Sequence, residues 1–140
     1  ENREIHAIIS YFDFPFTLIT FMLCEEYGLT GPTLAQGLKC EHKYWSRSEQ
    51  QKAIPEHVPN FEAINPFDAP AFDDLKVNTP FWIKPVKGFS SQLGYKIENA
   101  QQYQESLQVF REEIERLAKP FNYFLEHANL PEEVAAIDGH

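Results

Sequence analysis

The most regular apolar spacing in the chain falls in its last third. Tyr103, Leu107, Phe110, Ile114, Leu117 and Phe121 follow one another in steps of four and three, which lays one apolar stripe along a helix facing a sheet. Asn99 stands just ahead of the stripe as an N-cap, Gln102 is placed to complete a capping box, and Pro120 predicts the helix end. This spacing marks the aromatic residues as core, not as a cofactor box. At the other end of the chain the pattern is different. Ile5 to Phe12 is almost continuously apolar, which predicts a strand covered on both faces of a mostly parallel sheet. Asp13 ends that run, Pro15 suits a first helical turn, and Phe16 to Tyr27 reads as a helix closed by Gly28.

Between these two ends the signals are shorter. Gly31-Pro32-Thr33 makes a turn, and Thr33 caps a short helix through Leu38. Cys40 to Ala53 is polar and helix-prone, Pro55 and Pro59 break it, and Asn60 to Ile64 has the composition of a short strand. A proline-rich loop then leads to Phe81–Val86, a run of aromatic and β-branched residues that Pro80 and Pro85 confine to an edge or a strand end. A turn from Lys87 to Gly94 and a second strand complete a hairpin before the Asn99 cap. Val134 to His140 resembles the approach to a further strand. No internal repeat or low-complexity tract interrupts the sequence.

Charge narrows the range of partners. With Lys+Arg 12 against Asp+Glu 21, the formal net charge of −9 over 140 residues argues against a broad nucleic-acid or anionic-membrane surface. Any recognition of phosphate must therefore be local. The longest apolar run, Phe14 to Cys24, is too short to span a bilayer and meets Glu25 and Glu26 directly. Cys24 sits among apolar neighbours as a buried free thiol would, and with only Cys40 besides it the expectation is a reducing, cytoplasmic compartment.

The hairpin carries the candidate chemistry. On a period of two, Trp82 and Lys84 share a face, which sets the ammonium beside an indole. The turn that follows contains Gly88, Ser90, Ser91 and Gly94, residues that let backbone N–H groups approach an anion closely. A strand lysine beside such a loop is a phosphate-binding arrangement, and an ordinary hairpin with a solvated lysine has the same local pattern. Neither Gly-x-x-x-x-Gly-Lys-Ser/Thr nor Gly-x-Gly-x-x-Gly occurs in it. Other temptations are weaker. Cys40 and His42 lack the second ligand pair of a zinc site, Asp68, Asp73 and Asp74 are scattered as in a solvated loop, and Asp13 suits a helix cap better than catalysis at a sheet edge. Glu126 and His127 have no evident partner.

Taken in order, these pieces resemble the ATP-grasp superfamily over nearly the whole chain. The Ile5–Leu29 strand and helix and the Gly28-Leu29-Thr30-Gly31-Pro32-Thr33 turn look like the end of the α/β domain that precedes the nucleotide fold, giving a boundary at residues 1–42. Residues 43–140 then look like the N-terminal part of the ATP-grasp domain itself. Within it, Glu41-His42-Lys43-Tyr44-Trp45-Ser46-Arg47 resembles the helix that begins with a lysine, and Ile54 to Pro59 the segment that follows it. Pro80-Phe81-Trp82-Ile83-Lys84-Pro85-Val86 and Lys87-Gly88-Phe89-Ser90-Ser91 resemble the strand lysine and the phosphate-covering loop.

The resemblance implies an α/β (α+β) architecture with a helix-packed hairpin. It also implies roles: Lys43 and Lys84 as phosphate lysines, and Gly88, Phe89, Ser90 and Ser91 as the loop over the β- and γ-phosphates. The implied activity is an ATP- and magnesium-dependent ligase that activates a carboxylate as an acyl phosphate for attack by an amine or thiol. Lysines and loop amides suit that chemistry, because phosphoryl transfer depends on positioning and charge neutralisation. Two departures accompany the resemblance. The loop has Gly88-Phe89-Ser90-Ser91 where many relatives have a glycine run, and the adenine-hinge and metal-binding residues are expected beyond residue 140. No catalytic or metal residue is assigned within the chain, and a homo-oligomer pairing through Val134–Ile137 is open. The alternative is a small α/β interaction or regulatory domain that retains the scaffold without the chemistry.

Overall fold

The computed structural model describes residues 4–88 and 91–135. It is an α+β arrangement in which helices predominate. In chain order the elements are α1 (Phe16–Glu26), α2 (Leu34–Glu41), α3 (Lys43–Ala53), β1 (Phe81–Ile83), β2 (Tyr95–Ile97), α4 (Ala100–Leu125) and α5 (Glu132–Ala135). The strands pair antiparallel, with Phe81 opposite Ile97, Trp82 opposite Lys96 and Ile83 opposite Tyr95. Short 3₁₀ turns lie at Pro55–His57 and Phe72–Asp74.

Local chemistry accounts for most of the helix starts. Thr33 and Gln36 exchange both bonds of a capping box, so α2 begins where the sequence places it and runs three residues past Leu38 to Glu41. Asn99 accepts from the Gln102 N–H at 3.0 Å, while the Gln102 side chain accepts from the N–H of Glu98 and not from that of Asn99. At the end of α1, Gly28 takes φ +63°, a left-handed conformation that costs glycine little. Asp13 contributes to this helix through its backbone carbonyl, which accepts from Phe16 and Thr17.

Two hydrophobic clusters hold the chain together. The larger combines Leu18 of α1, Leu34 and Leu38 of α2, Trp45 of α3, Phe121, Phe124 and Leu125 of α4, and Val134 of α5. Val134 is fully buried inside a helical turn, which corrects the expectation of a strand beginning there; residues 136–140 lie outside those described. The smaller cluster places Ile97, Tyr103 and Leu107 beneath the hairpin, ringed by partly buried Phe72, Phe81, Ile83 and Tyr95. As the stripe predicts, α4 packs this hairpin with its first turns.

Three further expectations are corrected. Ile5 to Phe12 forms no strand, and Ile9 and Tyr11 are 91 and 100% exposed. A buried strand needs a neighbouring edge, and among the described residues the one sheet is the β1–β2 pair. Pro120 does not end α4, which continues to Leu125 because Phe121, Phe124 and Leu125 are buried in the larger cluster and offset the missing hydrogen bond. Cys40–Ala53 is helical as its composition predicts, shared between α2 and α3 and divided at His42. Finally, Asn60–Ile64 is irregular: the carbonyls just after it, Pro66 and Pro70, accept from Arg111 and Tyr103 of α4 and not from a strand.

Candidate functional site

The α2–α3 junction and the hairpin loop meet at one place. His42 makes the division between the helices: its N–H donates to Leu38 at the end of α2, and its Nδ1 accepts from the Trp45 N–H at the start of α3. The ring is fully buried and packs against Phe121, 6.1 Å between centroids. Burial disfavours the imidazolium and lowers its pKa to about 4. This neutral histidine puts Lys43 at the first position of α3, facing the loop.

Lys43 is bonded to the loop twice. Its backbone N–H donates to the Val86 carbonyl at 2.8 Å and its ammonium to the Gly88 carbonyl at 3.0 Å. Burial lowers the Lys43 pKa, and the charges of Lys87 and Lys84 lower it further, against an opposing effect of Glu41. Lys87 is only 7% exposed; it pairs with Glu41, the last residue of α2, and its ammonium lies 4.7 Å from the Phe14 ring centroid. Lys43 therefore feels two further ammonium groups against one carboxylate, in a chain whose net charge is −9. The local field is cationic although the chain is acidic.

Lys84 follows β1 directly. Its ammonium stands 5.2 Å from the Trp82 ring centroid, as the period of two predicts, and the side chain is exposed. The strand is shorter than Phe81–Val86 because Pro85 has no N–H to give to a ladder. Gly94 lies beside the stem of Lys84, where a Cβ would be about 4 Å from it, in ordinary contact. At Gly88 a Cβ would meet Pro85 Cγ at 2.7 Å, and only glycine fits. Ser91 and Leu93 take positive φ, 57° and 50°, a conformation that costs a non-glycine residue about 1 kcal/mol or more.

Of the residues singled out in the sequence, Lys43, Lys84 and Gly88 converge, and Ser91 borders the same loop. Phe89 and Ser90 lie outside the described residues. Lys87 and Glu41 were missed as site residues; the Lys84-x-x-Lys87 repeat was visible, but nothing local ties Lys87 to a carboxylate 46 positions away. Among the described residues the buried Gln92 Oε1, on the same loop, has no hydrogen-bond partner.

The other candidates do not assemble into a site. Asp68, Asp73 and Asp74 are exposed, His127 caps back onto the Tyr123 carbonyl, and Cys24 and Cys40 are unpaired thiols, the first buried. Among the described residues no group of three His, Cys, Asp or Glu is placed to hold a metal, and no helix is long and apolar enough to cross a membrane. Comparison with protein-family models, curated proteins and solved structures returned no match.

Proposed function

We propose that the Lys43–Lys84–Gly88 cluster binds the phosphates of ATP, and that the chain is the N-terminal portion of a cytoplasmic ATP-dependent ligase joining a carboxylate to an amine or thiol. The observation that carries this reading is the convergence of three lysines on a glycine-containing loop of an acidic chain. Lys84, exposed and backed by the Trp82 indole, is the group an incoming phosphate meets first. Lys43 waits behind it, holding a carbonyl in place of an anion. Burial does most to lower the Lys43 pKa and the charges of Lys87 and Lys84 add to it; a negative charge beside them offsets that repulsion. ATP supplies the phosphoryl group that activates a carboxylate in such ligases. The part of this chain is to position and neutralise the phosphates, which is where most of the catalytic work in phosphoryl transfer lies. Magnesium ligands and the carboxylate pocket belong, on this reading, to sequence outside residues 1–140.

The test is calorimetric titration of the full-length protein with ATP and magnesium, alongside Lys84→Ala and Lys43→Ala. Each substitution is expected to weaken binding by about tenfold or more, the worth of one charge-assisted phosphate contact. Binding that is absent in the wild type, or indifferent to both substitutions, rejects the reading. A proton linkage should accompany binding. Phosphate raises the Lys43 pKa from its lowered value, so affinity falls as pH rises into the range where the free protein loses that proton.

A further inference from the structure

The first arm of the loop is held at three successive residues by the α2–α3 junction. Val86 and Gly88 accept from the backbone and ammonium of Lys43, and between them Lys87 pairs with Glu41. Glu41 is the last residue of α2, where the helix dipole disfavours a carboxylate. Lys87 is nearly buried against Phe14, where an unpaired ammonium is costly. Each residue makes the other's position tolerable. Buried pairs of this kind add little stability over apolar replacements, yet removing a single partner strands a charge.

We propose that Lys87 is a positioning residue: through Glu41 it holds the start of the 88–94 loop against the α2–α3 junction, setting Lys43 and Gly88 where they receive phosphate without itself touching the anion. Its use in binding rests on the phosphate-site reading; the holding of the loop does not. Nearly buried Lys87 and exposed Lys84 therefore divide the work, one fixing the cradle and the other meeting the ligand.

The experiment combines two readouts on wild type, Glu41→Gln, Lys87→Met, the double variant and Lys87→Arg. Without nucleotide, amide hydrogen exchange at Lys43 and Gly94, whose N–H groups donate to the carbonyls of Val86 and Ser91 on the two arms of the loop, is expected to quicken about tenfold in either single variant, with Leu107 and Phe110 in α4 unchanged. Titration with magnesium and ATP is expected to show an affinity loss of about the same factor, since a loop held only part of the time binds in proportion. The double variant should be no worse than either single one, and Lys87→Arg, which keeps the pair, should recover both readouts.

Unchanged loop exchange in both single variants overturns the proposal. So does an affinity loss in Lys87→Met that Glu41→Gln does not share, for then Lys87 is itself a ligand. If a single variant also loses protection in α4, the double variant, with no stranded charge, decides: fast loop exchange over a protected α4 supports the latch, and a protected loop refutes it. If wild type binds no ATP, the phosphate reading fails and the exchange data alone judge the latch.

Discussion

The two ends of α4 lie in different kinds of interior. At its C-terminal end, Phe121, Phe124 and Leu125 join buried residues from α1, α2, α3 and α5, an all-helical core of interlocked aromatic and aliphatic side chains. At its N-terminal end, Tyr103 and Leu107 meet a hairpin of three-residue strands whose covering residues are mostly half-buried. There, polar ties add to a thin core: Tyr103 donates to the Pro70 carbonyl and Arg111 to that of Pro66. The lysine cluster sits where the first region reaches the second, with Glu41 and Lys43 from the helices and Val86, Lys87 and Gly88 from the hairpin. A firm helical base thus carries a lightly packed loop, the arrangement a ligand cradle requires.

The contrast can be broken most severely in the helical core. Phe121→Ala removes a ring that touches both Phe14 and His42, and a loss of about 3–5 kcal/mol is expected in denaturant unfolding. Ile97→Ala, a truncation to the same residue under the hairpin, should cost about 2 kcal/mol, the low end for a core position, because its neighbours are mostly half-buried. Equal losses would mean that the two regions are one core.

Acid should weaken the same base through His42. The folded pKa of about 4 lies below the ordinary 6.5, so between these values the unfolded chain binds the extra proton. The His42 contribution is whole above pH 6.5, declines as pH falls from 6.5 to about 4, and is spent below that; its full size is on the order of 3 kcal/mol. His42→Asn keeps an N-capping side chain without the titration, so its unfolding free energy should fall less steeply over that range. A slope equal to wild type would remove His42 from the account.

Gly37→Ala tests how tightly α1 and α2 are packed. The new Cβ would lie 2.5 Å from Phe21 Cδ2 and 2.9 Å from Leu18 Cδ2, and overpacking of about 1–3 kcal/mol is expected in thermal or denaturant melts. Tyr103→Phe gives the smallest effect, about 1 kcal/mol, by removing the hydroxyl that donates to Pro70. A neutral result there would show that the Tyr103–Pro70 bond adds nothing to the packing of that loop.

The parts legible in the sequence are those determined by near neighbours. The α4 stripe, the caps at Thr33 and Asn99, the Trp82–Lys84 face and the hairpin turn each depend on residues within a few positions. What was misread depends on distant partners. Ile5–Phe12 carries a strand pattern but lacks an edge to pair with among the described residues, and Pro120 is carried through the helix by side chains buried against α1, α2 and α3. Within the site, Lys43 and Lys84 stand out in the sequence, and the structure brings both to the hairpin loop. The Lys87–Glu41 pair does not stand out, because it joins two segments that the sequence places 46 residues apart.

The most direct measurement of the central claim is an NMR titration of the protein labelled with ¹³C at lysine Cε, with and without ATP and magnesium. Lys43 is expected to titrate below ordinary lysines in the free protein, and its pKa to rise on nucleotide addition while the Lys84 resonance moves with it. A Lys43 that titrates like a surface lysine, and is indifferent to ATP, would contradict the phosphate-site reading.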